Sequence, residues 1–401
     1  MDLRLKYLSH NKRLPTAFLA WTLVLTTGLF AQEDSVLQQR QPLVSGGIYD
    51  KPFITRLGGK TALGGYMDAV GAFEREGGVN HGWSFEARRF NLFTYSVIAD
   101  GIIVTSEIEI EHGGEEIKLE YGLLDIEFDD ALNLRGGMIL SPLGKTNLTH
   151  DSPKLELVER PLMATEIIPT TLSEVGGGFF GAFYPSITSR LTYEVYAVNG
   201  FNQDVVEGAG GTRIPAGKNH LFEKDNNDEP SVVGRIAFSP GYGTEFGTSF
   251  YYGTYNVFRM ERWDTDDRRS VSFLAFDVEH SESWGTLQAE YAANKVEIQP
   301  SMVGIFAERQ DGYFVQANVP LMSGLLPRWE RSKLSFALRY DFIDFDKAVV
   351  GDDHQRITVG FNLRPIQDTA LKLNYEQNWI RDRENNLDRS VRFLVSFASY
   401  F

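Results

Sequence analysis

Residues able to do covalent chemistry are scarce in this 401-residue chain and poorly spaced for it. The absence of cysteine excludes disulfides, thiolate metal sites and a cysteine nucleophile. The seven histidines stand at 10, 81, 112, 150, 220, 280 and 354, with neither HExxH nor HxH spacing, so nothing indicates a zinc site. No Gly-x-Ser-x-Gly occurs. His150, Asp151 and Ser152 are neighbours, but a triad is a folded geometry and not a run of residues. Asp225-Asn226-Asn227-Asp228-Glu229 has the composition of a calcium loop without its full twelve-residue pattern, and reads as a solvated acidic loop. No catalytic residue, metal or cofactor is expected, and the chain is not read as an enzyme.

Charge is placed on alternate residues, however, with apolar residues between. Leu334, Phe336, Leu338, Tyr340 and Phe342 oppose Ser335, Ala337, Arg339 and Asp341. Ile357, Val359, Phe361 and Leu363 oppose Arg356, Thr358, Gly360, Asn362 and Arg364. Leu371, Leu373, Tyr375 and Trp379 oppose Lys372, Asn374, Glu376 and Asn378. The same division appears around Glu194 and around Glu107 and Glu109, and again in the last segment, from Val391 to Phe401. A strand turns alternate side chains to opposite faces, so each segment has one apolar and one polar face. Any half-buried antiparallel sheet alternates in this way. These segments are often ten residues or more, the length of a tilted membrane strand, and aromatics gather near their ends, as at Phe342, Trp379 and Phe401.

The connections carry independent information. Short links such as Ala99 to Gly101, Asp129-Asp130, Tyr184 to Thr188, Pro240 to Gly243, Ser281 to Ser283 and Pro365 to Asp368 alternate with longer ones. The longer set includes Leu143 to Glu174, Phe201 to Pro230, Asn256 to Asp267 and Glu297 to Gln310. This is the rhythm of bacterial barrels, with short periplasmic turns and long external loops. The expectation is an all-β, transmembrane antiparallel barrel of about 16 strands over residues 58–401. Strand starts are expected near 61, 83, 102, 115, 132, 175, 190, 231, 244, 269, 284, 311, 332, 354, 369 and 389.

The N-terminus fits that destination. Arg4, Lys6, Lys12 and Arg13 precede the uncharged stretch Leu14 to Phe30, and Ala31 is a small residue at a plausible cleavage point. Residues 1–31 read as a signal peptide exporting the chain through the inner membrane to the bacterial outer membrane; a retained anchor is the alternative. Residues 32–57 read as a short polar periplasmic segment. The net charge of -15 repels nucleic acid.

The loop Leu143 to Glu174 is too long for a structureless connection and holds an apolar stretch, Pro161 to Ile168, unsuited to water. Folding inward would bury that stretch and narrow the lumen, where charged groups set ion preference. Candidate lining or constriction residues are Arg89, Arg135, Lys145, Lys154, Arg160, Arg235, Arg339 and Arg356, with Glu107, Glu194 and Glu376 of opposite sign. A one-residue bulge would exchange Arg88 for Arg89 on the inner face.

Several motifs, in order, resemble the phosphate-selective porin O and P family. They are Arg88-Arg89-Phe90-Asn91-Leu92, Gly137 to Gly144, Glu159-Arg160-Pro161-Leu162, Glu166-Ile167-Ile168-Pro169, Gly176 to Gly181, Asn199-Gly200 and Gly234 to Pro240. The terminal Phe401 resembles the signal read by the barrel-assembly machinery. The resemblance implies a sixteen-stranded, homotrimeric diffusion channel in outer-membrane lipid, constricted by the long loop. It does not carry phosphate selectivity with it, because Leu140 stands where many relatives have Lys and Asn91 where many have Arg. A lining of both signs points to weak selectivity among small polar or charged solutes, anions such as phosphate included. The competing reading is a non-transporting barrel with an adhesive or structural role.

Overall fold

The computed structural model describes residues 55–56, 61–207, 211–218, 221–260 and 263–401. The expected signal peptide and most of the segment 32–57 lie outside the described residues. Sixteen antiparallel strands close into one barrel sheet, to which the two-residue strand Thr55–Arg56 adds at Ala62–Leu63. The first five are β1 (Thr61–Glu76), β2 (Val79–Ala99), β3 (Ile102–Glu111), β4 (Glu116–Glu127) and β5 (Asn133–Leu140). After the long loop come β6 (Ser173–Phe183), β7 (Arg190–Val198), β8 (Ser231–Gly241), β9 (Thr244–Thr254) and β10 (Ser270–Glu282). The rest are β11 (Gly285–Val296), β12 (Arg309–Ser323), β13 (Lys333–Asp344), β14 (Asp353–Arg364), β15 (Thr369–Arg381) and β16 (Leu387–Tyr400).

Each strand pairs with its chain neighbours, and β1 pairs with β16 from Tyr66↔Tyr400 to Glu76↔Ser390. That last pairing closes the barrel and leaves no free sheet edge. At the seam Gly65 exchanges backbone hydrogen bonds with Phe401, at 3.1 and 2.9 Å. A Cβ on Gly65 would come within 2.5 Å of the Phe401 ring, which also stacks on Phe90 at 5.3 Å. The seam therefore needs a residue without a side chain.

Alternation works as the sequence implies. Phe276, Leu338, Phe361, Leu373 and Phe397 are exposed on the outer wall, while Arg339, Asp341, Thr358, Lys372, Asn374 and Glu376 are buried inside. Two observations differ from expectation. The first two links on the long-loop side are tight, Gly77-Gly78 and His112 to Glu115, because β1 and β2 stay paired as far as Glu76↔Val79. Bulges also interrupt β2 and β4: Asp68↔Arg89 is followed by Ala69↔Ala87, and Glu107↔Tyr121 by Ile108↔Leu119. Arg88 and Glu120 are the extra residues, and a bulge re-aims the side chain it inserts. Both turn inward.

The loop 141–172 folds into the barrel. It carries two short helices, α1 (Lys145–Leu148) and α2 (Leu162–Glu166). Leu143, Leu162, Met163, Ala164, Ile167 and Ile168 join a buried cluster with the inward residues Ile139, Val198, Val233, Phe273, Phe314 and Ile343. The next long loop, 199–230, adds Phe201, Val205, Ile214 and Leu221 to that cluster. Burying such side chains contributes about 1.5–3 kcal/mol each, so the apolar stretch fastens the loop inside.

Candidate functional site

The inward loop is pinned at its base by Asn147. Its side-chain amide donates to the carbonyls of Ser141 and Leu172, at 2.8 and 3.0 Å, and its oxygen accepts from Leu172 N. Ser141 N closes the neck on Leu172 O at 3.0 Å. Gly144, at φ +74°, lies where a Cβ would meet both Glu290 and Ile168, so the turn into α1 requires glycine. The Glu290 carboxylate then accepts from the amide and hydroxyl of Thr146, at 3.0 and 2.6 Å. Lys145 is paired with Glu245 at 3.1 Å and with Glu279 at 3.2 Å.

Beyond α1 the loop crosses the lumen and is gripped from one wall by cations. Lys372 donates to the carbonyls of Ser152 and Leu157, at 2.6 and 3.2 Å. Arg364 donates to Pro153 O at 2.7 Å and Lys154 O at 3.4 Å, and pairs with Glu156 at 3.2 Å. Arg339 donates to the carbonyls of Glu159 and Arg160, and Arg356 to that of Arg160. Asp341 binds both arginines, at 2.9 and 3.2 Å, and accepts from Leu162 N at 3.0 Å. Thus Arg339, Arg356 and Lys372 face inward, as alternation implies, but lie beneath the loop.

The adjoining wall, from β16 round to β4, is met by side chains. Glu159 accepts two hydrogen bonds from Arg88, at 3.3 and 3.2 Å, and one from Arg392 at 3.0 Å. Burial alone would raise the Glu159 carboxyl. Arg88, Arg392 and Arg356 outweigh that and hold it at about 2. Asp151 accepts from the Tyr400 hydroxyl at 2.7 Å. His150 contacts Glu120 through Nε2 and the Asn147 carbonyl through Nδ1, at 2.8 Å. His150, Asp151 and Ser152 therefore engage different partners and form no triad. Both bulge residues, Arg88 and Glu120, hold the loop.

The remaining expected residues fall in separate inward clusters. Arg135 grips Asp125 through Nε and Nη2, at 2.7 and 2.8 Å, lies 4.5 Å over the Phe180 ring, and reaches Glu194 at 3.5 Å. Arg235 donates to Asp277 at 2.8 Å. Glu107 accepts from Asn91 at 2.7 Å. Glu376 pairs with Arg392 at 3.4 Å and Arg356 at 3.9 Å. Arg89 pairs with Glu109 and Glu111, at 3.0 and 3.2 Å. Lys154 supplies its carbonyl to Arg364, and Phe401 sits at the outer seam. The sequence reading left Arg88, Glu120, Arg392 and Lys218 out of its candidate inner-site residues. Arg88 carried a signal in the doubled arginine at a position open to a bulge, and Arg392 in its place on the polar parity of the last strand.

Two acidic clusters bear on metal binding. Glu111, His112 and Glu116, at the β3–β4 turn, bring ligand atoms within 4.8 Å of one another. Lys118 already spans the two glutamates, at 3.4 and 2.9 Å. In the 225–229 loop Asp228 pairs with Lys224 at 3.2 Å, and Glu229 with Arg268 at 2.6 Å.

No family model matches the chain. It is 26% identical, over 73% of its length and 70% of the relative's, to an uncharacterized protein of Aquifex aeolicus strain VF5. Its fold is similar to that of the anion-selective porin from Comamonas acidovorans, with 12% identity, a TM-score of 0.57, and coverage of 84% of this chain and 99% of that one. It is also similar to the outer membrane channel DcaP of Acinetobacter baumannii, with 14% identity, a TM-score of 0.53, and coverage of 84% and 96%. At these identities the likeness is one of fold: a closed sixteen-stranded antiparallel barrel.

Proposed function

We propose that the protein is a porin of the bacterial outer membrane, a passive channel for small polar or charged solutes. One observation carries this reading. Inside a closed barrel with an apolar outer wall, Arg88, Arg89, Glu111, Glu159, Arg160 and Arg392 keep part of their surface accessible along β1–β3, the inward loop and β16. A solvated route lined by fixed charge is what a diffusion channel requires. Both signs line it, which favours weak selectivity and admits anions such as phosphate. The fold likeness to an anion-selective porin and to an outer membrane channel supports the same reading. Export by the 1–31 signal peptide rests on the basic, apolar and small-residue order of that segment, while assembly through Phe401 and a homotrimeric state in outer-membrane lipid are carried over from the family resemblance.

The test is planar-bilayer conductance of the purified protein under a salt gradient. Stepwise ohmic openings are expected, with a small reversal potential. Folded, inserted protein without openings would instead favour the adhesive or structural reading.

A further inference from the structure

The outer wall of β11 and β12 is apolar and exposed at Leu287, Tyr291, Tyr313 and Val315. Alternation buries Asn294 and Gln310 on the lumen side, and so turns their neighbours Lys295 and Arg309 outward. Both cations are exposed, and the strand register sets them directly opposite each other. Like charges in that position repel. The nearest carboxylate on the same face, Asp311, is engaged elsewhere. It takes Lys347 Nζ at 3.2 Å and the Tyr291 hydroxyl at 3.3 Å, and Lys347 also reaches Asp344 at 3.1 Å. Among the described residues, neither Lys295 nor Arg309 makes an ion pair or a side-chain hydrogen bond.

Their height on the wall identifies what meets them. Tyr313 lies 6.1 Å from the Tyr340 ring and 5.6 Å from that of Phe342, an outward aromatic group of the kind that sits at a membrane interface. Lys295 follows Tyr291 by four residues toward the long loops, and Arg309 precedes Tyr313 by four on the same side. Four residues are about 13 Å of strand, or about 10 Å of height once the strand is tilted. The pair therefore stands above the aromatic group, in the polar headgroup layer. Ser272, directly opposite Lys295 on β10, adds a hydroxyl on the same face.

We infer that Lys295 and Arg309 dock the phosphate of a lipid headgroup in the outer leaflet. The phosphate lies between the two cations, with the guanidinium fork of Arg309 on one side and the ammonium of Lys295 on the other. The acyl chains run down over Tyr291, Tyr313 and Val315. A soluble anion would gain the two charges but not the apolar wall below them. The site rests on the outer-membrane reading of the barrel and not on its conducting.

The experiment uses the full-length exported protein in a non-ionic detergent. Phosphatidic acid is the probe, phosphatidylcholine the comparison, and retained lipid is counted by native mass spectrometry. Half-saturation by phosphatidic acid is expected at a concentration about tenfold below that for phosphatidylcholine. K295Q and R309Q are each expected to raise it by about tenfold. R381Q removes a cation of the same rim that already pairs with Asp353 at 3.2 Å, and is expected to leave it unchanged. Heat-resistant migration on gels establishes that each variant is folded. Inorganic phosphate in about hundredfold excess is expected to leave the lipid bound. Its displacing the lipid would make this a site for a soluble anion and overturn the assignment. Equal retention of the two lipids, or equal weakening in R381Q, overturns it as well. Lipid retention is read without conduction, so its failure leaves the channel reading standing, and a barrel that never opens leaves the lipid site standing.

Discussion

The lumen has two unlike halves, and the same loop is fastened to each by different physics. On the β5–β13 side, Met163, Ile167 and Ile168 share one buried apolar cluster with Val198, Phe273 and Phe314. On the side running from β14 through β16 to β4, the loop is held by guanidinium, carboxylate and hydroxyl groups at Glu159, Asp151 and His150. Apolar burial is non-directional and unaffected by charge screening; charge-assisted bonds are directional and, where solvent reaches them, screened by salt. The apolar half therefore sets where the loop is, and the charged half sets what can pass beside it.

Breaking the apolar half should have the largest effect. Ile167 is fully buried, and a carboxylate there costs several kcal/mol unless the loop leaves its seat. I167D is expected to raise single-channel conductance by about twofold or more by widening the constriction, with the barrel itself intact on gels. Unchanged conductance in folded I167D would mean that the charged half alone seats the loop.

The division was only partly legible in the sequence. Alternation located the strands well, because every strand has one face toward the lumen and one outward. It could not locate the bulges. Arg88 and Glu120 are each a single inserted residue, and the pattern on either side looks regular. It also concealed the apolar half, since Val198, Val233, Val271 and Phe273 face inward on strands whose outer faces are apolar too. A two-sided apolar strand reads as neither face. That the apolar stretch 161–168 folds inward followed from its composition. Which wall it meets depends on contacts such as Lys372 with Ser152, 220 residues apart, that no local pattern encodes.

A smaller effect should come from the charged half. Glu159 neutralises a group formed by Arg88, Arg392 and Arg356. E159Q leaves that group under-compensated beside the route, so the anion-over-cation permeability ratio should rise by about three- to tenfold, read from the reversal potential. The apolar half should still hold the loop, so conductance should change far less than in I167D. A conductance jump as large as that of I167D would erase the distinction between the halves.

The smallest effect tests the boundary between them. Lys218 reaches over the loop from the 199–230 segment. Burial first, then repulsion from Arg160 and Lys118, lowers it from 10.5 to about 8. Its folded pKa lies below its unfolded one, so the cost of keeping it charged is fully present below pH 8. That cost fades as pH rises from about 8 to 10.5, and this group therefore makes the loops more stable, not less, at alkaline pH. Over the same rise the lumen loses one positive charge. The reversal potential should move toward cation preference with a midpoint near pH 8, at nearly constant conductance, and K218Q should start at the alkaline value and stay flat. A midpoint near that pH surviving in K218Q would assign the titration to another group. A conductance change accompanying it would mean that the upper loop seats the inward loop by charge as well as by the apolar packing of Phe201, Val205 and Ile214.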